Sequence, residues 1–77
     1  MDTKIKEVTE ILRLFPKNAF YCVSVWDFGV PSLHGDFNLK TVRAARENGF
    51  KGHIDYDQNN HAWVRLENNN ALITLDA

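Results

Sequence analysis

Apolar and polar positions alternate most regularly in the last third of the chain. Gly52 to Asp57, Ala62 to Glu67 and Ala71 to Asp76 are three short runs of that kind. They are separated by Gln58-Asn59-Asn60-His61 and by Asn68-Asn69-Asn70. A period of two marks a half-buried strand, and asparagine tolerates the left-handed backbone of a tight turn. The pattern predicts a β-meander.

The amino-terminal third has a different period. Ile5, Val8, Leu12 and Phe15 recur at steps of three and four, with Ile11 and Leu14 widening the stripe. That is one face of a helix, capped by Asp2 or Thr3 and stopped by Pro16, which disfavours the α region in the residue before it. Packing of this stripe against a sheet is the simplest use for it. Ala19 to Phe28 then reads as the strongest strand, rich in aromatic and β-branched residues. Its bulk lies on both faces, with Phe20, Cys22, Trp26 and Phe28 on one and Tyr21, Val23 and Val25 on the other. Two-sided bulk predicts a central strand, or one whose second face meets a helix or another chain. Residues 27 to 31 form the expected hairpin turn, with Gly29 free to take positive φ. The return strand is Ser32 to Phe37, in which Gly35 marks a bulge or a close backbone approach.

A second helix is expected from Leu39 to Asn48. Asn38 caps it, Leu39, Val42, Ala44 and Ala45 form its apolar stripe, and Gly49 and Phe50 close it. The elements follow in the order α-β-β-α-β-β-β. The chain is therefore expected to be one α+β domain over residues 1–77, a mainly antiparallel sheet with two helices on one face. The order of strands between the hairpin and the meander stays open at this level.

Composition narrows the function more than it identifies it. With 77 residues the chain buries a modest core, and small domains often lean on disulfides, metals or partner chains. The single Cys22 excludes an internal disulfide, fits a reducing compartment, and is expected as a small buried hydrophobe. No run is apolar enough to span a membrane and no signal region follows the first residues, so a cytoplasmic protein without membrane contact is expected. Nine basic and ten acidic residues give a net charge of −1, which argues against binding nucleic acid through bulk charge.

Three constellations hold the chemistry that remains. His34 and Asp36 alternate on one strand, and His53, Asp55 and Asp57 on another, with His61 in the following turn. Imidazole and carboxylate suit zinc, manganese or iron if those strands are neighbours. A solvent-facing strand reads polar in the same way, so no metal site is expected. Asp55, Asp57 and Asn59 match the start of a calcium loop, but Asn60 stands where glycine is needed and Leu66 where the bidentate glutamate belongs. Lys40, Arg43 and Arg46 form a basic side of the second helix, diluted by Glu47, with Lys51 just beyond. No phosphate loop, nucleophile elbow or cofactor motif is present, and a typical ligand pocket of about 300–1,000 Å³ is large for such a chain.

The expectation is a non-enzymatic module, with no cofactor, that binds a protein partner. An inhibitor or modulator of a larger host or phage machine, for example an anti-defence protein, suits its size. Tyr21, Trp26 and Trp63 are the aromatic candidates for the contact surface, with Lys40, Arg43 and Arg46 beside them. A homodimer would use the same apolar surplus. The alternative is a nucleic-acid-binding domain using the basic side of the second helix.

Overall fold

The computed structural model describes residues 2–26, 28–56, 58–59 and 62–76, with residues 2–4, 55 and 56 as backbone only. Its elements are α1 (Asp2–Leu12), β1 (Cys22–Ser24), β2 (Ser32–Asp36), α2 (Leu39–Glu47), β3 (Lys51–Tyr56), β4 (Ala62–Glu67) and β5 (Leu72–Asp76). The order is the one the sequence predicts. The five strands form a single sheet in the order β1-β2-β5-β4-β3. β2 and β5 pair in parallel, and the other three pairings are antiparallel. The meander thus folds back so that its last strand enters the middle of the sheet.

Register places Leu33, Ile73 and Leu66 in one row and Gly35, Leu75 and Val64 in the next. These rows make the inner face. Leu33, Ile73 and Leu75 are fully buried, and Leu66 nearly so. Phe15, Ala45, Phe50 and Ala71 complete the buried cluster, with Ile11, Leu12, Val42 and Ala44 packed against it. Both helices therefore contribute to one core on one side of the sheet. Phe15 meets Phe20 edge to face at 5.1 Å and Phe50 at 6.0 Å, within the favourable range for aromatic pairs.

The caps of α2 follow the sequence closely. Asn38 Oδ1 accepts from the Lys40 amide at 2.8 Å, satisfying a donor that the first turn leaves open. At the other end the Phe50 amide donates to Ala45 and the Gly49 amide to Arg46, with Gly49 at φ 82°. This double closure needs the left-handed residue that glycine supplies. In the 68–70 turn, Asn68 Oδ1 accepts from the amides of Asn70 and Ala71 at 2.7 and 3.0 Å.

Several expectations are corrected. The segment 19–28, read as a long strand either central or with its second face against a helix or another chain, contributes Cys22–Ser24 among the described residues. That strand lies at the sheet edge, so the central reading is corrected. The chain enters it through Asn18 at φ 64°, and the Tyr21 amide already donates to the His34 carbonyl of β2 before the strand begins. A Cβ at Gly35 would come within 2.2 Å of the Ala19 carbonyl oxygen. Gly35 is therefore the close approach, without a bulge, since its register with Leu75 is unbroken. β propensity measures how a side chain fits a pleated, half-covered surface, and past Ser24 no second strand or helix supplies one.

Cys22, expected inside, is exposed on this edge strand. α1 ends at Leu12, ahead of Pro16, because the amides of Leu14 and Phe15 donate three residues back and tighten the last turn. In its stripe Val8 and Phe15 are buried, Leu12 is half-buried and Ile5 is exposed. In α2 the buried positions are Thr41 and Ala45, while Leu39 is exposed. Phe37 lies beyond the end of β2 and is also exposed.

Candidate functional site

The outer face of the sheet is a polar grid. Its middle row runs Cys22–His34–Thr74–Arg65–His53 across all five strands. One flanking row is Asp36–Asp76–Trp63–Asp55 and the other is Ser24–Ser32–Leu72–Glu67–Lys51. Residues on one face of a strand recur every second position, so three short alternating segments and a hairpin suffice to build this grid. Charges of both signs are interspersed on it.

Tyr21 joins this face from outside the strands. Its hydroxyl donates to Asp76 Oδ2 at 2.6 Å, and its amide donates to the His34 carbonyl at 2.9 Å. The hydrogen bond to the Asp76 carboxylate raises the Tyr21 pKa, and the nearby negative charge of Asp76 and Asp36 adds to the effect. Asp76 thus has Tyr21 on one side and Trp63 as its β4 partner on the other.

The histidine and carboxylate set is dispersed. His34 and Asp36 are on β2 and His53 is on β3, with β5 and β4 between them. Three strand spacings put about 14 Å between them. Among the described residues no three histidine, cysteine or acidic side chains gather as a metal-holding group. Asp57, Asn60 and His61 lie outside the described residues, and so does the heart of the calcium-loop match. What sequence reasoning missed is that Cys22 and His34 are direct strand partners. The register of a hairpin whose last pair is Ser24 with Ser32 implies that pairing, but the overlong first strand obscured it. His34 Nε2 also lies 3.3 Å from Ser32 Oγ.

Two groups of exposed apolar side chains lie outside the strand rows of the grid. In the connection from β1 to β2, Val25 is 43%, Trp26 53%, Phe28 91% and Val30 39% exposed, following Tyr21 at 63%. Gly29, at φ 85°, turns the chain within it. On the helix side, a groove of about 530 Å³ runs between α2 and the β3–β4 pair. Phe37, Val42, Ile54 and Val64 line it, with Arg46 and Lys51 among the lining cations. Its volume falls in the range typical of ligand sites, so chain length alone did not preclude a groove of that size. Lys40, Arg43 and Arg46 are all exposed on α2, and Arg43 and Arg46 border a second depression with Leu39. Trp63 is half-buried on the outer face, remote in register from the Trp26 connection.

No family model, curated protein or solved structure matches this chain. Among the described residues no helix is long and apolar enough to cross a membrane.

Proposed function

We propose that the protein is a protein-binding module whose contact surface is the connection between β1 and β2. The observation that carries this reading is the exposure of Phe28 at 91% beside Trp26 at 53%. Large apolar side chains cluster on a small soluble domain at a cost in solubility, and such patches usually mark interaction sites. Tryptophan and other aromatics are also the residues that anchor protein interfaces. A domain that contributes surface suits an inhibitor or modulator of a larger machine, and the neighbouring polar grid would give such a contact its rim.

The test is affinity capture from the native host with the wild-type protein and with the W26A/F28A double variant, followed by reconstitution with the purified partner. The expected result is one stoichiometric protein complex, lost in the variant. Its affinity should change little between about 50 and 200 mM salt. A complex with nucleic acid that weakens steeply over that range and depends on Lys40, Arg43 and Arg46 would replace this reading with the alternative one.

A further inference from the structure

The two edges of the sheet differ. β1 offers three residues, whereas β3 offers six, Lys51–Tyr56. Natural proteins keep edge strands short or cover them, because an open edge presents unpaired amides and carbonyls to any other strand. Among the described residues nothing pairs with the far side of β3. Ile54, on the helix side of this strand, is 58% exposed, and the 530 Å³ groove separates α2 from it. The helix layer thus stands back from this edge and leaves room for another chain.

The sequence of β3 specifies which chain. Antiparallel pairing of two identical strands about an axis perpendicular to the sheet keeps each residue on its own face. It is therefore fixed by a single central residue. Centred on Ile54, the pairing sets Ile54 opposite Ile54, His53 opposite Asp55 and Gly52 opposite Tyr56 of the second copy. By residue type the two inner pairs are complementary: apolar with apolar, and basic with acidic. The charge order along the strand, basic before Ile54 and acidic after it, makes the segment complementary to its own reverse. Cross-strand pairs of this kind are the unit by which sheets are stabilised.

We infer that two copies of the chain associate through β3, antiparallel and centred on Ile54, into a continuous ten-stranded sheet. The two α2 helices then lie on the same side, and the exposed Ile54 residues close the groove between them. This inference does not depend on the Trp26 and Phe28 surface, which lies beside β1 at the opposite end of the sheet.

The test is sedimentation equilibrium of the full chain and four variants, with circular dichroism on each to confirm folding. Wild type is expected to be dimeric. H53D sets acid against acid twice per dimer and should weaken association by about tenfold. D55K alone should also weaken it. The H53D/D55K exchange restores opposite charges across the axis and should restore the dimer. In wild-type protein, amide exchange of residues 52–56 should slow as concentration rises through the dissociation constant, which serves even where a variant folds poorly. A wild-type monomer at millimolar concentration would overturn the inference. So would a dimer indifferent to the charge changes, or one abolished by W26A/F28A instead.

Discussion

Residues 71–76 and 21–30 are both rich in large apolar side chains, and the fold treats them oppositely. In the first, Ala71, Ile73 and Leu75 are fully buried. In the second, Tyr21, Val25, Trp26, Phe28 and Val30 are all exposed. The difference lies in what flanks each segment. β5 has β2 on one side, β4 on the other and the helices above it. β1 has one strand neighbour over three residues, and the chain beyond it leaves the sheet. Burial is a property of the neighbours a segment acquires, and apolar bulk without neighbours becomes surface.

The contrast can be broken most forcefully at Gly35, the β2 partner of Leu75, where the chain leading into β1 crosses closely. Gly35 on β2 has the Ala19 carbonyl where a Cβ would stand, at 2.2 Å. Backbone cannot swing aside as a side-chain tip can. G35V is expected to lower unfolding free energy by about 3 kcal/mol, the upper end for overpacked cores, or to prevent folding. Gly52 is the control: its obstacle is Leu66 Cδ2 at 2.3 Å, a side-chain terminus that can rotate. G52A should cost about 1 kcal/mol, read from the urea midpoint.

Truncation inside each region gives the next largest difference. I73A removes a fully buried side chain and should cost about 2–5 kcal/mol. F28A should stay within about 0.5 kcal/mol of wild type, because its ring is 91% exposed. Equal losses for the two variants would mean that the β1–β2 connection packs as core.

The sequence disclosed the meander, both helices and the caps of α2, because each rests on a local rule. Alternation sets a strand, Asn38 a start, and Gly49 with Phe50 a stop. What stayed hidden depended on neighbours distant in sequence. Nothing local shows that β5 inserts between β2 and β4, or that Val25, Trp26, Phe28 and Val30 stay exposed. Thr41 was missed as a core position because its burial comes from its place on α2 and not from its polarity, while Leu39 was overrated for the converse reason. Among the candidate contact residues, Tyr21 bonds the Asp76 carboxylate and Trp63 is the β4 register partner of Asp76, while Trp26 lies beyond the other end of β1.

The smallest effect is a titration. The Tyr21 hydroxyl donates to Asp76, which raises its pKa above the ordinary value of about 10. A raised pKa means the protonated phenol favours the folded state. Its contribution is complete below the unfolded value and disappears as pH rises through the folded one. Ultraviolet titration should place Tyr21 above a free tyrosine, and D76N should move it back down. Unchanged titration in D76N would show that this hydrogen bond does not hold the connection to the sheet.

The central claim is that the chain presents its aromatic residues between β1 and β2 to solvent rather than to its own core. Acrylamide quenching of the W63F protein, in which Trp26 is the remaining tryptophan, tests it most directly. The account expects quenching well above that of a buried indole, in keeping with a ring about half exposed, and strong shielding only when a partner protein is added. Strong shielding of Trp26 in the isolated protein would contradict it.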